Sequence, residues 1–251
     1  MELTGSEKEA FVRSLFSSIA PRYDLLNSVM SLSRHRAWRR LAVRLAGVEP
    51  GDSALDVCCG TGDFAFDLAG AVGPEGNVVG VDFSEPMLDI ARAKARRIGL
   101  DRVEFVAANA LELPFEDGSY DCVTVGFGLR NVSDVGAAVA EMARVAKPGG
   151  RVVSLEIFGR KRGLMSLPWR LFAWFLPWTA SALRTKRAAY KYLRRSVRKF
   201  ISREDLAREF ENNGLADVCR RDLMLGTVCI HIGTKANAVG AGHRARPERD
   251  K

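Results

Sequence analysis

LDVCCGTGDFAFDLA, residues 55–69, runs an apolar stretch into a glycine-rich turn and then into a helical pattern. Gly60, Thr61 and Gly62 form the turn, and continuing to Ala65 spells G-x-G-x-x-A, a spacing also used by dinucleotide-binding folds. Strand, tight turn and helix in this order are the nucleotide-holding unit of doubly wound α/β proteins. What lies on either side decides whether that unit is present and which nucleotide it suits.

Downstream, NVVGVD, RVEFVAA, SYDCVTVGF and RVVSLEI read as further strands. Helical patterns run from about Asp63, from Ser84 to about Ile98, and through SDVGAAVAEMARVA, where Ser133 is the expected N-cap and KPGG the following turn. Upstream, residues 7–46 read as helices, with Trp38, Leu41 and Leu45 at helical spacing in RHRAWRRLAVRLA. A helix near residues 203–213 precedes ADVCRRDLML and TVCIHIGTK, which are separated only by Gly226 and its neighbours and should pair as an antiparallel hairpin at the sheet edge. The expected fold is therefore α/β, a doubly wound, mostly parallel seven-stranded sheet with an antiparallel last strand, N-terminal helices ahead of it, and a helical insertion after the fifth strand. One domain spans residues 1–235: helices over 7–46, a nucleotide-binding core over 51–156, a basic and aromatic insertion over 157–203, and a C-terminal helix and hairpin over 204–235. Residues 236–251 are small, polar and charged without periodicity and are expected to be disordered.

The composition, 47% hydrophobic and 27% charged, is that of a globular chain with a core. Five cysteines (Cys58, Cys59, Cys122, Cys219, Cys229) show no C-x-x-C spacing; four of them lie in apolar runs that look like buried strands or their ends, which reads as core thiols of a reducing cytosol rather than metal ligands. MELTGSEKEAF lacks the features of a secretion signal, and LMSLPWRLFAWFLPW is too short and too interrupted by Pro168, Arg170 and Pro177 to span a bilayer. The net charge of +8 is unevenly spread: residues 157–203 hold 13 of the 38 Lys and Arg and none of the 30 Asp and Glu, leaving 25 against 30, a net of −5, elsewhere.

A dinucleotide or a P-loop ligand would present phosphates to the helix after the glycines, but that helix opens with Asp63 and no G-K-[ST] lysine follows. Acidic groups stand instead where a cationic, phosphate-free nucleoside needs them. Asp56 precedes the turn, and Asp82, about 20 residues after the glycines, ends the second strand where a carboxylate accepts from ribose hydroxyls. Asn109 at the end of the third strand can address an adenine edge, and residues 125–128 end the fourth strand at the same crevice. S-adenosylmethionine fits this rim; a nicotinamide dehydrogenase is the competing reading.

LDVCCGTGDFA, VVGVDFSEPML, ANALELPFEDGSYDCVTVGFGLRNV and EMARVAKPGGRVVSLE, with IAPRYDLLNSVMSLSRHRAW and YKYLRRSVRKF outside the core, resemble class I methyltransferases and, more narrowly, the menaquinone and ubiquinone biosynthesis C-methyltransferases. By motif, the resemblance implies cofactor contacts at Thr61, Asp82, Asn109 and Ala110, with Gly60 and Gly62 forming the turn. Gly126 stands where some members carry a serine, and Ile201 where proline is usual, which bears on the turn before the next helix. The implied reaction methylates a ring carbon of a prenylated hydroquinone, demethylmenaquinol or the benzoquinol intermediate of ubiquinone synthesis. Another small-molecule methyltransferase or a non-catalytic scaffold are the alternatives.

Such a reaction needs a base, alignment and exclusion of water. Arg130 is the first candidate for stabilising the phenolate and Asn131 for holding the second hydroxyl; Tyr23, Asp24 and His35, on N-terminal helices that the resemblance implies can lie over the cofactor as a lid, and His231 of the last strand are further candidates. The aromatics interleaved with arginines over residues 160–199 are too apolar for a nucleic-acid groove and fit an anionic membrane surface, with a substrate-domain core bearing a solvated basic face as the alternative. These features together predict a cytoplasmic protein held peripherally at the inner face of the membrane, in which a homo-oligomer is also compatible.

Overall fold

The computed structural model describes residues 5–159 and 187–237. Within them, β1 (Ser53–Val57) is flanked by parallel neighbours on both sides, β2 (Asn77–Asp82) and β4 (Tyr120–Gly126). β3 (Glu104–Ala107) extends the sheet beyond β2, and β5 (Ala146–Ile157) beyond β4, again in parallel. β7 (Val228–Lys235) runs antiparallel to both β5 and β6 (Leu215–Leu223), giving the order β3-β2-β1-β4-β5-β7-β6. Six strands thus point one way and β7 the other, as the sequence predicts. The chain leaves β1 toward β2 and returns to β4 on the opposite side, so the carboxyl ends of β1 and β4 border the crevice where such sheets bind ligands.

Alternation along the strands sends side chains to two apolar layers. Ala54, Cys122, Val153 and Ile230 pack against α3 (Arg34–Ala46), α4 (Asp63–Val72) and α5 (Glu85–Ile98). Leu55, Val57, Val123 and Cys229 face α6 (Val135–Val145) and α8 (Arg203–Asn212). The other described helices are α1 (Gly5–Ile19), α2 (Tyr23–Ser31) and α7 (Arg187–Lys199). Of the basic and aromatic insertion, residues 160–186 lie outside the described residues, as do residues 238–251 of the tail. Among the described residues no helix is long and apolar enough to cross a membrane.

Two local expectations are corrected. Asp134, not Ser133, caps α6: its side chain accepts from Ala137 N at 3.0 Å, while the Ser133 hydroxyl is drawn 2.7 Å to Glu9 of α1. KPGG does not separate a helix from a strand but lies inside β5 as a register shift, Tyr120 pairing with Ala146 and Cys122 with Arg151. A side chain at Gly150 would meet the Asp121 carbonyl oxygen at 2.9 Å, so the looped-out residues close back onto β4 only with glycine there. The departure at Ile201 leaves the following helix start intact, because Ser202 and Asp205 form a reciprocal capping box.

Candidate active site

The loop after β1 returns sharply to start α4. Cys58, Gly60 and Gly62 all take left-handed backbone angles (φ 56°, 55° and 83°), and a side chain at Gly62 would lie 2.9 Å from the Phe105 ring. Asp82 stitches this loop to the next one: its Oδ2 accepts from Gly60 N and its Oδ1 from Ser84 N, each at 2.9 Å. Burial nevertheless pushes its carboxyl up to about 6, against those N–H donors. Its two oxygens have more lone pairs than these backbone donors fill, and the group lines a cavity at the carboxyl ends of β1, β2 and β4.

Gly60, Asp82, Asn109, Ala110 and Gly126 line that cavity, as the sequence places them. The Asn109 side-chain oxygen accepts from Leu111 N at 3.1 Å, fixing the turn that presents it. Gly126 could not carry the serine of the resemblance without displacing Phe64, whose ring lies 2.8 Å from where a Cβ would stand. Phe127, the next residue, has φ 58°, so strained backbone borders the cavity on both strands that frame it.

The roof comes from the N-terminal helices. Val12, Arg13 and Phe16 of α1 and Tyr23 of α2 line the cavity, and Tyr23 reaches over Gly60, 3.7 Å from where a Cβ would stand. α1 is pinned by Lys8 donating to the Val132 carbonyl, by Glu9 accepting from the Ser133 hydroxyl, and by the contact of the Ser17 and Ser84 hydroxyls at 3.1 Å. Thr61 turns away from the cavity: its hydroxyl donates to Asp24 of α2 at 2.6 Å, and Lys94 of α5 donates to Asp24 at 2.9 Å and to Asp63. Against the effect of burial, Lys94 and Arg39 hold the Asp63 carboxyl below its usual range. The acidic start of α4 is thus committed to two cations of the protein.

Asp56 also lies outside the cavity wall. It points to the α4 side of the sheet, accepts from the Thr124 hydroxyl at 3.0 Å, and burial pushes it up to about 8. His35 and His231 are not brought to the cavity either. His35 Nδ1 meets Ser31 Oγ at 2.6 Å, and His231, fully buried between Phe158 and Phe210, meets the Arg203 carbonyl at 2.9 Å through Nε2.

Burial lowers both imidazoles to about 4. Above about pH 6.5 they are neutral whether folded or not; below it the unfolded chain takes up protons that the native sites refuse, so their contribution to stability is lost as pH falls toward about 4. His231→Gln is expected to show a smaller loss of Tm than the unaltered chain between about pH 7 and about pH 5. Equal losses in calorimetry would contradict the assignment.

Arg130 is not in the cavity wall but directly behind it. Its Nη1 donates to the Phe127 carbonyl and lies 3.2 Å from Glu156 Oε2, with 8% of the arginine and none of the glutamate side chain exposed. Glu156 Oε1 accepts from Leu129 N at 2.7 Å, so one carboxylate holds both the arginine and the backbone turn that carries it. Asn131 lines the cavity, donates to the Phe127 carbonyl at 3.2 Å and accepts from the Tyr192 hydroxyl of α7 at 3.1 Å. Burial raises the Tyr23 and Tyr192 phenols; the Arg130 charge acts on both in the opposite sense. Glu156 and Tyr192 are absent from the sequence reading. A glutamate inside the apolar run RVVSLEI was the available sign of the first, since a charge there requires a buried partner.

Residues 4–235 match the ubiE/COQ5 methyltransferase family. The chain belongs to that family. Demethylmenaquinone methyltransferase of Bacillus cytotoxicus is 42% identical over 229 residues, covering 91% of this chain and 97% of that one. An S-adenosylmethionine-dependent methyltransferase from Aquifex aeolicus has the same fold (TM-score 0.59, 20% identity, 84% of this chain and 96% of that one). So does the [4+2]-cyclase SpnF (TM-score 0.62, 19% identity, 80% and 81%), so the fold by itself does not fix the reaction. In this ubiE/COQ5 family member no group of three or more His, Cys, Asp or Glu among the described residues is placed to hold a metal ion.

Proposed function

We propose that this chain transfers the methyl group of S-adenosylmethionine to a ring carbon of a prenylated hydroquinone, demethylmenaquinol, in menaquinone synthesis. The observation that carries the reading is Asp82: a buried carboxylate with free lone pairs in the wall of a cavity that α1 roofs, in a chain 42% identical to demethylmenaquinone methyltransferases. When bound, S-adenosylmethionine supplies an electrophilic methyl on its sulfonium. Asp82 would accept from the ribose hydroxyls, Asn109 and Ala110 would hold the adenine, and the Gly60 and Gly126 backbones would allow close approach. Thr61 serves the site at one remove by tying α2 to the glycine turn.

On the substrate side, Asn131 orients a quinol hydroxyl, and the Arg130 charge behind Phe127 favours the phenolate that makes the ring carbon nucleophilic. Arg130 stays protonated, so it stabilises the anion rather than taking the proton. Val12, Phe16 and Tyr23 exclude water from the reacting atoms. A polyprenyl tail keeps this substrate in lipid, and we place the enzyme peripherally on the cytoplasmic face of the membrane. The arginine- and lysine-rich run that suggests it lies mostly outside the described residues.

The test is the quinone profile of a bacterium lacking its own demethylmenaquinone methyltransferase. Expression of this chain is expected to convert the accumulated demethylmenaquinone to menaquinone, read by mass spectrometry. An unchanged profile with soluble, S-adenosylmethionine-binding protein present would overturn the substrate.

A further inference from the structure

Seven non-glycine residues among the described ones have positive φ, and two of them, Cys58 and Phe127, border the cavity. Four of the remaining five are concentrated in two surface turns: Leu32 and Ser33 (φ 51° and 59°) between α2 and α3, and Met224 and Leu225 (φ 47° and 56°) at the tip of the β6–β7 hairpin. Left-handed turns favour glycine or asparagine, and a side chain with a large apolar body gains nothing there from water. Here Leu32 is 75%, Leu225 66% and Met224 45% exposed. The two turns are neighbours, since Arg34 Nη1 lies 3.4 Å from Met224 Sδ.

Their place in the fold is informative. β6 runs parallel to β5, so its tip lies at the carboxyl edge of the sheet, the edge that holds the cavity. α3 starts at that edge and ends at the other, where Arg151 donates to the Leu45 carbonyl at 2.9 Å. Charge follows the same pattern: residues 25–48 carry five arginines and no Asp or Glu, and Arg34, Arg36, Arg40 and Arg44 are exposed.

We propose that these two turns dock the protein onto an anionic bilayer, Leu32, Met224 and Leu225 entering the headgroup–acyl boundary while the arginines of α3 meet lipid phosphates. The inference rests on the reading of the substrate as lipid-borne: docking through this rim sets the sheet edge that holds the cavity against the surface from which a prenylated quinol must come. The occupant is lipid rather than a protein partner because the apolar groups are few and protruding and stand beside the exposed arginines of α3, while the carboxylate next to the hairpin tip, Asp222, is paired with Arg203.

The test uses the full chain carrying Leu32→Asn, Met224→Asn and Leu225→Gly together. Asparagine and glycine suit left-handed backbone, so the variant is expected to keep or raise its Tm. Its binding to vesicles of equal parts phosphatidylglycerol and phosphatidylcholine, measured by co-sedimentation, is expected to fall about tenfold or more. Methylation of a tail-less demethylnaphthoquinol in solution is expected to be unchanged. Vesicle binding equal to that of the unaltered chain, or no binding by either, overturns the proposal. So does a dimer that the substitutions dissociate while vesicle binding persists, which would make the turns a contact between copies. A chain that binds vesicles through these turns yet methylates neither the tailed nor the tail-less quinol upholds the surface and overturns the substrate reading instead.

Discussion

Arg130→Ala is expected to lower stability by about 3–5 kcal/mol, the cost of leaving a buried carboxylate without its cation. Glu156 has no exposed side-chain surface, and burial already raises its carboxyl with Arg130 as the first opposing influence. Without the arginine it takes up a proton or draws in water, and the Leu129–Asn131 turn it holds loosens. Turnover falls for a separate reason, the loss of positive charge behind the cavity. Pairing Arg130→Met with Glu156→Gln separates the two effects. Urea unfolding should recover most of the stability in the double variant, because no buried charge is left unpaired and the amide oxygen still accepts from Leu129 N, while turnover should stay low. Recovery of both would reduce Arg130 to a structural residue; a single variant as stable as the unaltered chain would show that the pair contributes nothing.

Asp82→Ala is expected to weaken S-adenosylmethionine binding by about 2 kcal/mol or more, roughly thirtyfold, since two ribose hydroxyls lose a charged acceptor in a site from which water is largely excluded. The same substitution frees Gly60 N and Ser84 N, so the loss includes disorder in both loops. Asp82→Asn keeps an acceptor oxygen and should fall between the two. Calorimetric titration of folded variants reads both, and an unchanged dissociation constant would remove Asp82 from the site.

The frame of this site is local in sequence and could be read there. Gly60 and Gly62 follow an apolar strand directly, Asp82 ends the next, and strand alternation with helices of this length fixes a parallel sheet whose carboxyl edge collects Asp82, Asn109 and Gly126. Side-chain direction was harder. Thr61 lies inside the glycine turn and Asp56 just ahead of it, yet Thr61 is turned toward Asp24 by a contact 37 residues back in the chain, and Asp56 falls on the α4 face. The groups that complete the site are paired across long separations: Arg130 with Glu156 over 26 residues and Asn131 with Tyr192 over 61. No periodicity reports such pairs. Ser133 and Asp134 are equally good caps by type, and the choice between them rests on Glu9, which approaches from the opposite end of the chain.

The most direct test of the account gives the purified chain demethylmenaquinol and S-adenosylmethionine whose transferable methyl is fully deuterated, and follows the product by mass spectrometry and carbon NMR. The expected product is menaquinol with the intact deuterated methyl on a ring carbon and none on oxygen, formed only when S-adenosylmethionine is present. A label on a quinol oxygen, or cofactor binding with no transfer to this ring, would contradict it.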